Sequence, residues 1–165
     1  LVGAAEQAAA ARRMEGFTAA DIMTRDLVTV GPDAPLAHVA DVFRKRGFTS
    51  LPVVGDGDRL LGLIFQIDLI RRAREDAFRQ HHSLIRAFAH LIDSHRKRPP
   101  KAGEIMETDT PRIASDTPVG AIMPLLADGG AEAVAVVDGP RVVGIVTRTD
   151  LVSALAQRLA LVQAA

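Results

Sequence analysis

Residues 104–152, EIMETDTPRIASDTPVGAIMPLLADGGAEAVAVVDGPRVVGIVTRTDLV, repeat in outline residues 21–70, DIMTRDLVTVGPDAPLAHVADVFRKRGFTSLPVVGDGDRLLGLIFQIDLI. Residue 21 falls on 104 and, after one deletion in a turn, residue 62 falls on 144. The pairs Ile22/Ile105, Met23/Met106, Asp26/Asp109, Asp33/Asp116, Pro35/Pro118, Gly47/Gly130, Val53/Val136, Val54/Val137, Gly62/Gly144 and Asp68/Asp150 are identical. Turn residues, core residues and a terminal acid kept in one register mark a duplication.

Each copy gives the same order of elements. "LVTV" and "PRIA" are short strand candidates, and Pro35 and Pro118 open the helices that follow, where a missing N–H costs nothing. Leu36, Val39, Ala40 and Phe43 form one apolar helical stripe, and Val119, Ile122, Met123 and Leu126 form the other. Gly47 and Gly130 are expected to stop these helices in left-handed caps. "SLPVV" and "EAVAVV" then pair with "RLLGLIF" and "RVVGIVT" as hairpins, and a second helix closes each unit. The expected fold is α/β (α+β): two interlocked βαββα repeats with pseudo-two-fold symmetry. A copy of about 50 residues is too small to bury its sheet and helix stripes alone, so the copies are expected to share a core.

The chain accordingly divides into an Ala-rich helical lead-in (1–20), repeat 1 (21–70), a helical insertion (71–103), repeat 2 (104–155) and a helix end (156–165). The lead-in, with "AAEQAAAARR", reads as the end of a connecting helix from something longer. In the insertion, Ala77, Leu84, Ile85, Phe88, Leu91 and Ile92 suggest one or two amphipathic helices ended by Pro99 and Pro100. Nine Lys or Arg against three acids give residues 71–101 a net charge of about +6, although the 20 basic and 20 acidic residues of the whole chain cancel. That charge reads either as a solvated helix face or as a patch for acidic partners. Nucleic acid is not expected, because aromatic interleaving and a DNA-binding motif are missing. No cysteine is present, which excludes disulfides and thiol catalysis. Apolar runs such as "TPVGAIMPLLA" fall short of the roughly 18 residues of a membrane span. The spacing of His81, His82, His90 and His95 places no pair on one helical face, so no metal site is expected. Nucleophile elbow, Walker-type loop and paired catalytic acids are also missing, so no enzyme is expected.

The end of the second copy, "GIVTRTDLV" at 144–152, carries the chemistry. Gly144 leaves room for close approach, and Thr147, Thr149 and Asp150 stand where a strand runs into a helix. Unpaired N–H groups there favour an anion, a carboxylate can accept the two hydroxyl hydrogens of a ribose, and threonine hydroxyls can bond sugar or phosphate. Thr147 with Asp150 three positions on equally has the form of a capping box. Residue chemistry leaves both readings open.

The two units, with hydrophobic-Gly-hydrophobic-hydrophobic-Thr-x-Thr-Asp ending the second, resemble the CBS domain, found in tandem as a Bateman module. The "IM" opening, "LPVV" strand and "GxxTxxDL" ending carry the resemblance over residues 21–155. It implies a regulatory, non-catalytic module binding an adenine nucleotide (AMP, ADP, ATP or S-adenosylmethionine) in clefts between the copies. The nucleotide is a regulatory ligand, with no cofactor required. Asp150 becomes the ribose ligand, with Thr147 and Thr149 near ribose and phosphate. Met23 or Thr24 and Val28 frame the adenine, and Thr49, Ser50, Leu51 and Pro52 line the other wall. In the first copy Phe65 and Ile67 replace the threonines beside Asp68, opposite Pro111 and Glu132. That cleft is expected to be degenerate, with Asp68 kept chiefly as a helix cap. The family also implies a homodimer through the CBS helices. "LPVV" through "GLIFQIDLI" and "PLLADGG" are similar to the C-terminal cytoplasmic part of HPP-type bacterial membrane proteins. That similarity implies an attached membrane domain and a place in the cytoplasm, at the inner-membrane face. The rival reading is a structural homodimerisation module with empty clefts.

Overall fold

The computed structural model describes residues 3–5, 16–80, 85 and 100–164. The elements, in chain order, are α1 (Ala19–Ile22), α2 (Leu36–Arg46), β1 (Ser50–Val54), β2 (Leu60–Phe65), α3 (Gln66–Gln80), α4 (Ala102–Ile105), β3 (Arg112–Ala114), α5 (Val119–Ala127), β4 (Ala133–Asp138), β5 (Arg141–Thr147) and α6 (Arg148–Gln163). They make a mixed α+β fold of two compact units. One is Val28–Asp109; the other joins Leu1–Leu27 to Thr110–Ala165. We call them the middle unit and the terminal unit.

In the middle unit β1 and β2 pair antiparallel, Ser50 opposite Phe65, with a bulge at Val53/Val54. Val30 adds a parallel bridge to Val53 on the far side of β1, the remnant of the strand expected over "LVTV". Glu107 bridges Leu63 on the open edge of β2. The terminal unit repeats this plan: β3 is parallel to β4, β4 is antiparallel to β5, and Thr24 bridges Ile145 on the β5 edge. Strands this thoroughly covered carry runs of apolar residues rather than strict alternation, and β1 and β4 are buried along most of their length.

The segments on those open edges come from the other sequence copy. Ala19 and Met23 lie in the core of the terminal unit with Val119, Ile122, Leu126, Val134, Val136 and Val146. Ala102 and Ile105 lie in that of the middle unit with Val39, Phe43, Leu51, Val53 and Ile64. The structure thus has two cores rather than the one shared core expected, and each short copy gains the apolar surface it lacks from the other copy's opening segment. Burying a side chain the size of Ile122 or Leu126, both fully enclosed, is worth about 1.5–3 kcal/mol.

Local chemistry sets the element ends. Gly47 caps α2 at φ 67°, its N–H donating to the Phe43 carbonyl at 3.0 Å. The second helix departs from that expectation. α5 contains Pro124 and stops at Ala127 with Asp128 in right-handed conformation, so Gly130 (φ 70°) turns the following loop instead. There the N–H groups of Asp128 and Gly129 both donate to the Pro124 carbonyl at 2.9 Å, widening the last turn. α3 runs to Gln80, ten residues past the end assigned to repeat 1. Ile85 is exposed. Leu84, Phe88, Leu91, Ile92, Pro99 and the histidines 81, 82, 90 and 95 lie outside the described residues. No helix among the described residues is long and apolar enough to cross a membrane.

Candidate functional site

β5 delivers Thr147 to the start of α6 in extended conformation (φ −113°, ψ 171°), as an N-cap requires. Asp150 turns back on it. The Thr147 N–H donates to Asp150 Oδ2 at 2.7 Å and the Thr147 hydroxyl to the same oxygen at 2.8 Å, while Thr147 Oγ1 accepts from the Asp150 N–H at 3.3 Å. The capping box is therefore present. It uses only one carboxylate oxygen. Asp150 Oδ1 accepts a long 3.4 Å hydrogen bond from the Thr24 hydroxyl, beside the exposed Thr149 in the first turn of α6.

Thr24 is held by backbone, its N–H donating to Ile145 O at 2.9 Å and its carbonyl accepting from Ile145 N–H at 3.1 Å. The preceding Met23 explains Gly144. A Cβ on residue 144 would stand 2.8 Å from Met23 Cγ and 3.0 Å from its Cβ, so the space left by the glycine holds Met23 rather than lying open to a ligand. Met23 is 8% exposed and belongs to the unit's core.

The terminal unit thus holds five of the residues singled out in the sequence: Met23, Thr24, Thr147, Thr149 and Asp150. The other five belong to the middle unit. Thr49 is exposed at the entry to β1, and its carbonyl accepts from the Gln66 N–H at 2.9 Å. Ser50 and Pro52 are buried, Leu51 is enclosed in the core, and Val28 packs half-buried against that core.

The corresponding turn of the middle unit is built differently. Phe65, 4% exposed, replaces the capping threonine, and among the described residues no hydroxyl bonds to Asp68. Asp68 Oδ1 takes the Arg71 guanidinium at 3.3 Å, while Oδ2 is buried with no hydrogen-bond partner. Asp68 therefore does not act as the expected helix cap: a carboxylate three residues beyond a phenylalanine has no side-chain donor to close the box. Gly62 makes room for backbone here, since a Cβ would meet the Glu107 carbonyl oxygen at 2.5 Å.

Sequence reasoning passed over Arg148, between the two threonines. Its guanidinium donates to the carbonyls of Leu126 at 3.0 Å and Ala131 at 3.1 Å, tying the end of α5 to the start of α6. Phe17 was passed over too; Arg158 of α6 stacks over its ring at 5.3 Å, fastening this stretch to α6. Neither has a sequence signal, because each is defined by a distant partner.

The model of the CBS domain matches residues 19–75 and 102–157. The chain belongs to the CBS domain family. Both matches begin at the exchanged openings, α1 and α4. Among characterised relatives, the A-adding tRNA nucleotidyltransferase of Geobacter sulfurreducens is 31% identical over 134 residues, 81% of this chain. The chain spans 13% of that relative's length. The CBS domain of a CBS domain-containing membrane protein from Sphaerobacter thermophilus is 28% identical with a TM-score of 0.68, over 90% of this chain and 94% of that one. CBSX2, solved in complex with AMP, has the same TM-score at 23% identity, covers 86% of this chain and 98% of its own, and shows the CBS-pair fold alone.

Proposed function

We propose that this CBS pair is a non-catalytic regulatory module that binds an adenine nucleotide through Asp150, Thr149 and Thr147 and controls an attached domain. One observation carries the reading: the capping box occupies Asp150 Oδ2, while Oδ1 keeps only a long bond from Thr24, at the start of α6 where Thr149 is exposed. This set suits a ribose hydroxyl and an adjoining phosphate. The AMP in CBSX2 supports the ligand class. Val28 and residues 49–52, with Met23, take their part in the adenine contact from the family resemblance. The turn at Asp68 and Phe65 offers no hydroxyl and is proposed not to bind. An attached membrane domain, and a place at the cytoplasmic face of the inner membrane, follow from the similarity to HPP-type proteins.

A calorimetric titration with AMP, ADP, ATP, S-adenosylmethionine and GMP as control tests this reading. An adenine-selective signal, weakened about 2- to 10-fold by Thr149→Val with an unchanged melting temperature, is the expected result. Thr149 takes no part in the cap, so its loss separates ligand binding from folding. No heat with any adenine compound at millimolar concentration defeats the proposal.

The second reading, a homodimerisation surface, has its own observation. Ile70 and Val152 occupy equivalent places in the two copies and are 56% and 65% exposed. Beside Ile70 a groove of about 530 Å³ runs between α2 and α3, with Ala37, Ala40 and Leu69 in its walls. A second copy covering both sites makes the module a homodimer, compatible with nucleotide binding. Ile70→Glu together with Val152→Glu should then shift sedimentation to the monomer; an unchanged sedimentation coefficient counts against it.

A further inference from the structure

We infer that the Thr24 hydroxyl is a built-in competitor for the ligand oxygen of Asp150, so that occupancy of the site is read by residues 17–24, the opening segment packed in the terminal unit. This rests on the nucleotide reading above. The two oxygens of Asp150 are unequally engaged. Oδ2 takes two hydrogen bonds at 2.7 and 2.8 Å from Thr147, within the normal range. Oδ1 takes the Thr24 hydroxyl at 3.4 Å, well beyond the 2.7–2.8 Å typical of an O–H···O bond. A ligand hydroxyl arriving at ordinary distance therefore gains a stronger bond than the one it displaces, and the exposed Thr24 hydroxyl can turn to water.

The tie is placed to transmit that exchange. Thr24 is 126 residues from Asp150 in sequence and ends the segment that begins at Phe17. That segment is fastened along its length: Phe17 under Arg158, the Phe17 carbonyl accepting from the Val119 N–H at 2.9 Å, the Ala19 N–H on the Thr117 carbonyl at 2.8 Å, Met23 in the core, and Thr24 on Ile145. Of these attachments only the one at Thr24 also touches the carboxylate that the ligand needs. A ligand therefore changes how one end of the opening segment is held, and the coupling is reciprocal: whatever strains the segment changes the affinity at Asp150. The middle unit supplies an internal contrast. Its equivalent of Thr24 is Glu107, bridged to Leu63 in the same way. A carboxylate cannot donate a hydrogen bond to Asp68, so this tie is confined to the unit that carries the threonines.

The test uses Thr24→Val, which keeps the shape and removes the donor, in the full chain. AMP titrated by calorimetry should bind the variant about 2- to 5-fold more tightly than the wild type, the value of one weak hydrogen bond no longer displaced. Hydrogen exchange supplies the second readout. AMP should speed exchange at the Met23 and Thr24 amides of the wild type and leave them unchanged in the variant. Equal affinities overturn the inference, and weaker binding by the variant does so as well, making Thr24 a ligand contact. If neither protein binds AMP, ADP, ATP or S-adenosylmethionine, this inference and the nucleotide reading fall together. Binding that Thr24→Val leaves unaltered removes this inference alone.

Discussion

The two turns that lead from strand to closing helix descend from one sequence and now differ at a single decisive position. In the terminal unit Thr147 and Asp150 satisfy each other, and the second carboxylate oxygen takes only a long bond from Thr24. In the middle unit Phe65 has replaced the threonine, leaving Asp68 with an unpaired buried oxygen and an Arg71 partner. A retained acid is therefore no measure of a retained role. The hydroxyl three residues earlier decides whether it caps a helix.

The comparison can be broken most forcefully at the glycines. Gly62→Ala should destabilise the middle unit by about 3 kcal/mol in urea denaturation, because the added carbon meets the backbone oxygen of Glu107, which has nowhere to go. Gly144→Ala meets a methionine side chain instead and should cost less, about 1–2 kcal/mol; equal losses would show that Met23 is as rigid as backbone. Next come the acids. Asp150→Ala should cost about 1 kcal/mol as a lost cap and also abolish nucleotide binding, whereas Asp68→Ala should leave the urea midpoint nearly unchanged, since it removes one unpaired oxygen and one long contact to an exposed arginine. A large loss at Asp68 would restore it as a cap.

The smallest effect concerns acid. Hydrogen bonding to Lys101, and then its charge, hold the Asp33 carboxyl below its ordinary value in the middle unit, and the Thr18 N–H and hydroxyl do the same for Asp21 in the terminal unit. A depressed folded value contributes stability above the unfolded value near 3.8, and that contribution is lost as pH falls through the lower folded value. Both carboxyls are fully exposed, so melting temperature should fall only slightly below pH 4 on this account, and salt should blunt the change. Lys101→Met should remove the Asp33 part and leave the Asp21 part; a variant that melts like the wild type throughout would mean the pair contributes nothing.

Much of this was legible beforehand because the repeat states it twice. Helix stripes, the Gly47 cap and the two hairpins follow from local spacing, and the structure has them. Gly130 misled because α5 already ends at Ala127, where the Asp128 and Gly129 N–H groups both close on the Pro124 carbonyl. Gly144 misled for another reason: a glycine announces a close approach without saying what approaches, and here Met23 fills the space.

Periodicity and turn chemistry act over a few residues, so the chain alone specified two α+β copies, their elements and the Thr147–Asp150 box. Which opening segment completes which sheet was decided only in three dimensions. Residues 19–23 suit either core by composition, since the two openings are copies of each other. Long-range packing chose between them, placing Met23 against Gly144 and Thr24 beside Asp150. That choice turns a helix cap into a carboxylate held by the opening segment.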